Sequence, residues 1–212
     1  MNAPSAAFAQ ANPTQPPGYL ILTADFPPIE GGISTLTRQL AGGLWQRGRL
    51  LALGAPRLRG ATTDDRQFPY PVFRIGGYQW GPLRAIPARR SVNLWVARHR
   101  DQVSKIIAMN AGFGGWLGKA GRKHWGVPFD VFAYGFEFLK YHRNPFARRF
   151  LLEIYKAADR VLSISDFTTR ALVDFGVPPE RIVRIALGVD TERFVIYPRV
   201  TLSDFPAPRE RS

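Results

Sequence analysis

The chain has 212 residues, 45% hydrophobic and 13% aromatic, which is enough for one α/β domain with a sizeable core and too little for two large ones. It contains no cysteine, which excludes disulfide frameworks, thiolate nucleophiles and cysteine-based zinc sites. Its net charge of +13, from 24 arginines and 5 lysines against 16 acids, draws it toward polyanions: phosphorylated sugars, acidic lipid surfaces or nucleic acid. The same excess also suits a merely solvated surface.

Residues 1–18 read as a disordered Ala/Pro-rich tail; they have neither the basic start nor the continuous apolar stretch of a signal peptide. Tyr19 to Thr23 is a buried first strand, followed by a loop from Ala24 to Gly32. A helix is expected from Ile33 to Arg47, with Ile33, Leu36, Leu40 and Leu44 forming one apolar stripe. Leu50 to Leu53 makes a second strand and Pro71 to Ile75 a third. Gly76 to Pro87 is expected to be a long loop, with a basic helix from Ala88 to Arg100. Lys105 to Met109 is a strand, Phe113 to His124 a glycine-loosened helix, and Phe129 to Tyr134 another strand. Pro145 to Ala158 is a helix on which Phe146, Phe150 and Ile154 are expected to face one side. Arg160 to Ile164 is a strand, Ser165 caps the next helix with Asp166 in its first turn, and Gly176 and Pro178 end it. A last strand, Arg181 to Ala186, leads to Gly188. Strands alternating with helices imply a Rossmann-like doubly wound parallel sheet. No run of 18 apolar residues occurs, and the cytoplasm is the default location, with the inner membrane face as the alternative.

Three stretches carry chemistry. In Asp25-Phe26-Pro27-Pro28-Ile29-Glu30-Gly31-Gly32-Ile33, two glycines at a strand-to-helix turn let backbone N–H groups approach a phosphate. Neither GxGxxG nor GxxxxGK[ST] is present, which disfavours a dinucleotide-dependent dehydrogenase and a P-loop NTPase. Ala133-Tyr134-Gly135-Phe136-Glu137 places a carboxylate just after a strand. Ala158-Asp159-Arg160 to Ser165 begins a segment that closes on Gly188-Val189-Asp190 and Phe194.

In this order and spacing, the three stretches resemble glycosyltransferase family 4, particularly its phosphatidylinositol-mannosyltransferase-like members. The resemblance covers about Tyr19 to Phe194 and implies one lobe of a two-lobed GT-B enzyme, the N-terminal, acceptor-side one. It implies retaining transfer of a sugar from a nucleotide-sugar to a lipid-linked or saccharide acceptor, without a metal or other cofactor. Gly31, Gly32 and Ile33 then lie on the donor diphosphate side, with Asp25 and Glu30 toward the acceptor. Tyr134 and Glu137 take the catalytic positions, although Tyr134 stands where the family has histidine and cannot switch charge as an imidazole does. Gly188 and Asp190 belong to the interlobe hinge. A cleft holding Gly31, Gly32 and Glu137 together is expected.

Residues 195–212 are expected to form a Pro-rich tail that cannot hold the donor-binding lobe, so the isolated chain is expected to be inactive, pairing with a separate second lobe or with itself. Basic residues beside tryptophans, notably Arg89, Arg90, Trp116, Lys119, Arg122 and Lys123, suit an anionic membrane surface. Two alternatives stay open: a non-catalytic binding module or split-gene fragment, and a basic nucleic-acid-binding domain. The acids interleaved at Asp159, Asp166, Asp174 and Glu180 disfavour the last, and no nucleic acid is expected as a partner. His99, His124 and His142 lack metal-site spacing and are expected to be ordinary surface residues.

Overall fold

The computed structural model describes residues 18–58, 64–76, 82–141 and 144–188. The expected tails lie outside them except for Gly18, which opens the first strand, and Asp190 and His142 also lie outside.

Seven strands form one parallel sheet: β1 (Gly18–Leu22), β2 (Leu50–Pro56), β3 (Val72–Ile75), β4 (Val103–Ala108), β5 (Phe129–Ala133), β6 (Arg160–Ser163) and β7 (Ile182–Arg184). Their order across the sheet is β3-β2-β1-β4-β5-β6-β7. The order reverses between β1 and β4, and a crevice opens there beyond the carboxyl ends of the strands, where α/β sheets bind ligands.

Period-two alternation divides the core. Leu20 and Leu22 join a cluster with Ala108, Val131 and Val161, whereas Ile21 joins Leu53, Met109 and Phe132 on the other face. The second face is covered by α1 (Gly32–Gln46), whose stripe Ile33, Leu36, Leu40 and Leu44 packs as its spacing predicts. The first face carries α2 (Pro82–Arg98), α3 (Trp116–Trp125), α5 (Pro145–Ala157) and α6 (Asp166–Phe175) through Val92, Leu117, Ile154 and Leu172. A short helix, α4 (Phe136–Tyr141), follows β5. The sheet is therefore wound on both faces, as expected.

Several boundaries differ from the sequence reading. The helix expected at Ala88 begins at Pro82 and carries Pro87 inside it. Proline at the first helical position costs no hydrogen bond, and Pro87 removes only one a turn further on. On α5 the buried residues are Leu151, Ile154 and Tyr155, while Phe146 is 85% exposed and Phe150 44%. Apolar residues spaced strictly by four drift around a helix, so only Ile154 of the expected row stays on the sheet. His99 is also no ordinary surface residue: its ring stacks on Trp95 at 4.3 Å, with Nδ1 2.8 Å from the Trp95 carbonyl.

Other local signals act as read. Ser165 Oγ accepts from the Thr168 N–H at 3.1 Å, capping α6, and Gly176 ends it in a left-handed conformation. Asn144, which the sequence reading did not single out, caps α5 in the same way, and Pro145 takes its first position.

Candidate functional site

A pocket of about 570 Å³ opens at the β1/β4 switch point, a size suited to a small-molecule ligand. Its floor comes from the turns after β1 and β4, and its walls from α2, α3, α4 and α5.

After β1, Thr23 and Asp25 brace each other: the Thr23 hydroxyl donates to the Asp25 carbonyl at 3.0 Å, and the Asp25 N–H donates back at 3.1 Å. The loop is then held from β3. Arg74 donates to the Pro27 carbonyl at 2.8 Å, pairs with Asp65 and lies over the Phe26 ring at 5.7 Å. This fixes the Asp25 carboxylate at the pocket floor.

After β4, the chain makes a single π-helical turn, Ala111–Gly115, before α3. Asn110 caps it, its side-chain oxygen accepting from Phe113 N–H at 3.1 Å and Gly114 N–H at 2.9 Å. That orientation leaves the amide nitrogen as a donor toward Asp25, with which it is hydrogen-bonded. Burial nonetheless raises the Asp25 carboxyl above its ordinary range, the Asn110 bond opposing it.

Glu137 stands in the first turn of α4 and is 5% exposed. Its Oε1 accepts from the Tyr134 N–H at 3.3 Å and from the Tyr155 hydroxyl at 3.5 Å. Its Oε2 is buried without a hydrogen-bond partner, although the residue lines the pocket. Burial raises its carboxyl above the ordinary carboxylate range, while the surrounding backbone N–H groups and the Tyr155 hydroxyl act to lower it. An oxygen in that state calls for a donor from a ligand.

Tyr134 does not line the pocket. Its ring packs on the α1-side cluster, 6.1 Å from Phe132, and its hydroxyl is buried without a partner. Burial, then the charges of Glu137 and Asp25, hold that hydroxyl above its usual range, so it remains a donor.

The expected common cleft is therefore divided. Asp25 and Glu137 share the pocket; Gly31, Gly32 and Ile33 are absent from its lining. Gly31 and Gly32 are exposed and open α1 on the other layer, with no side-chain cap. Glu30, also exposed, pairs with Arg38 at 3.3 Å. Gly188 is exposed at the limit of the described residues.

Of the basic and tryptophan positions, Trp116 lines the pocket. Lys119 pairs with Glu153 at 3.0 Å and Arg122 with Asp159, so both tie α3 to neighbouring acids. Arg89, Arg90 and Lys123 are exposed. No helix among the described residues is long and apolar enough to cross a membrane, and no three acids or histidines there gather as a metal site.

The sequence reading missed Asn110 and the aromatic wall of Phe113, Phe136, Tyr141 and Phe150. Asparagine directly before a small-residue turn is a capping signal that pointed to the first. The wall is assembled from three separate elements, and no local pattern marks it.

A family model described as Glycosyltransferase Family 4 matches residues 30–193. Among solved structures, Anabaena HepE in complex with UDP-glucose is similar at 18% identity with a TM-score of 0.61, over 82% of this chain and 45% of that one. The lipopolysaccharide outer core galactosyltransferase WaaB matches at 13% identity and 0.62, over 85% and 49%. Sucrose-phosphate synthase from Thermosynechococcus elongatus matches at 15% and 0.61, over 82% and 49%. The chain thus spans about half the length of these structures. No curated protein matches it.

Proposed function

Since the chain belongs to glycosyltransferase family 4, we propose that it forms the acceptor-side lobe of a retaining enzyme that moves a sugar from a nucleotide-sugar to a saccharide or lipid-linked acceptor. The observation that carries this reading is the meeting of two carboxyl groups, the half-buried Asp25 and the buried Glu137, in one pocket at the switch point of the sheet.

The two layers divide the work. On the α1 side, Gly31 starts the helix without a side-chain cap, so its first N–H groups are presented to a donor diphosphate. Tyr134 belongs to the same side and offers a hydroxyl with no protein acceptor. Across the edge, the pocket receives the acceptor. Asp25 joins the two regions: it lines the pocket and its charge is felt by Tyr134. In the transfer, an acceptor hydroxyl oxygen bonds to the anomeric carbon as the bond to the diphosphate breaks, and the hydroxyl proton leaves with the departing phosphate. Holding these two oxygens close is most of the catalytic task. HepE was solved with UDP-glucose, which supports a nucleotide-sugar as donor.

Side chains and helix dipoles of a second lobe, in the same polypeptide or a separate one, complete the clamp on the leaving diphosphate in this reading, and no metal is required. Arg89, Arg90 and Lys123 are available to an anionic membrane surface. The test is to assay nucleoside diphosphate release by the 212-residue chain alone and after mixing with a separately expressed donor-binding lobe. Turnover is expected only in the mixture, since losing a single transition-state donor costs ~3 kcal/mol and a whole set is missing from the lone lobe. Robust turnover by the chain alone overturns the division of labour.

A further inference from the structure

The loop from Thr23 to Gly31 has little of its own to hold it. It carries Pro27 and Pro28, which have no N–H to donate. It also straddles the edge of the sheet: Asp25 lines the pocket, whereas the next residue, Phe26, is buried in the cluster on the α1 side.

The anchor comes from outside the loop. Arg74 on β3 forks onto Asp65, with Nε 2.9 Å from Oδ2 and one terminal nitrogen 2.5 Å from Oδ1. The same terminal nitrogen donates to the Pro27 carbonyl at 2.8 Å, and the other reaches the Pro56 carbonyl, at the end of β2, at 3.3 Å. The guanidinium also lies over the Phe26 ring at 5.7 Å. Phe68 packs against that ring at 4.8 Å and stacks on Tyr70 at 5.7 Å. Both the backbone and the ring of the loop are thus held by Arg74, whose side chain is only 11% exposed, and by the segment from Asp65 to Tyr70. A lysine ammonium cannot grip a carboxylate with a planar fork and span two carbonyls at once.

We infer that Arg74 is a positioning residue for the transfer: seated on Asp65, it fixes the loop so that Asp25 at the pocket and the helix start at Gly31 keep one spacing. The inference rests on the division of labour proposed above and adds to it a residue that touches neither substrate. When the loop drifts, each substrate still meets its own contacts, so the loss falls on the rate of the joined complex and not on either binding step.

Arg74→Lys and Asp65→Asn test this in two settings. In the 212-residue chain alone, amide hydrogen exchange followed by NMR should quicken about tenfold at Ile29 and Thr35, whose N–H groups donate to the Phe26 and Gly31 carbonyls. Exchange at Ile106, in β4, should keep its wild-type rate. In the mixture with the donor-binding lobe, Arg74→Lys should lower kcat by about tenfold or more and leave both KM values within about threefold. Ser165→Ala removes the α6 cap without touching the loop, and it sets the activity expected from a fall in melting temperature alone. Because Arg74 and Asp65 act as a unit, the double variant should lose little more than Arg74→Lys. Unchanged exchange in the loop overturns the inference. So does a kcat that falls no further than in the control, or a KM that takes the whole loss, and in either case the glycosyltransferase reading stands. Absence of turnover in the wild-type mixture, seen before any variant enters, would overturn that reading and the inference with it.

Discussion

Two pairs of glycines flank the switch point, and they are needed for opposite reasons. Gly31 and Gly32 lead from β1 into α1; Gly114 and Gly115 lead from β4 into α3. A Cβ at Gly31 or Gly32 would meet nothing within 4 Å, and Gly31 is glycine because its φ is 156°, a conformation that other residues avoid. A Cβ at Gly114 would stand 2.5 Å from the Leu22 carbonyl oxygen, and one at Gly115 would stand 2.7 Å from Ile154 Cγ2. The first pair sits at an exposed turn with open space around it. The second lets one turn sink into the sheet, and the pocket is built on that turn. Glycine pairs after strands look alike in sequence; only the surroundings distinguish a presented backbone from a packed one.

The comparison breaks most visibly at Gly114. Gly114→Ala pushes a methyl group into a backbone carbonyl that cannot swing away as a flexible side chain could. A cost of about 1–3 kcal/mol is expected, a fall of roughly 3–10 °C in melting temperature for a domain of this size. Thermal melts followed by circular dichroism check it. An unchanged melting temperature means that the turn does not pack against β1 as described.

This asymmetry also explains what the sequence made legible. Periodicity and caps suffice for elements whose partners are local: the stripe of α1, Ser165 on α6 and the Gly176 terminus all follow from residues three or four apart. The switch-point crevice follows from strand order once alternating elements are read as a parallel sheet. The pocket does not follow. Glu137 was visible as a carboxylate after a strand, but its burial depends on Tyr155, eighteen residues on in α5. Phe146 and Phe150 were expected on one side of the helix with Ile154 from their spacing by four, and α5 instead turns Phe150 to the pocket. Arg74 had no motif at all, since its partners Pro27 and Asp65 belong to other loops. Information of that kind resides in the tertiary fold alone.

A second effect sharpens the contrast between the exposed glycine turn and the buried acid. Glu137 has its carboxyl raised by burial, so the folded chain keeps that proton to a higher pH than the unfolded chain, where the group titrates near its ordinary value of 4.5. As pH rises from about that value through the raised one, the unfolded state ionises first, and stability falls across that window. Asp25 shifts in the same direction. Glu137→Gln removes this group's share of the cost, so the variant should be more stable than wild type at pH 7, with the gap closing below pH ~4.5. Urea midpoints at the two pH values measure it. A gap of the same size at both would mean that burial does not penalise this charge.

The smallest change in stability is expected at Gly32, and it separates folding from function. Gly32 is the first residue of α1, has helical surroundings and leaves open space where a methyl would go. Gly32→Ala should therefore stabilise the lobe by about 0.4–1 kcal/mol, through lower entropy of the unfolded chain and better helix propensity. The same methyl would stand between the N–H groups of the helix start and a diphosphate approaching them. In the two-lobed enzyme the KM for the nucleotide-sugar should rise about tenfold, equivalent to ~1.4 kcal/mol, while the melting temperature goes up. Gly114→Ala should do the reverse, lowering stability while leaving the donor KM of the folded fraction near wild type. If Gly32→Ala stabilises the fold and the donor KM does not move, the diphosphate does not sit at this turn, and the open glycine pair serves only the path of the chain.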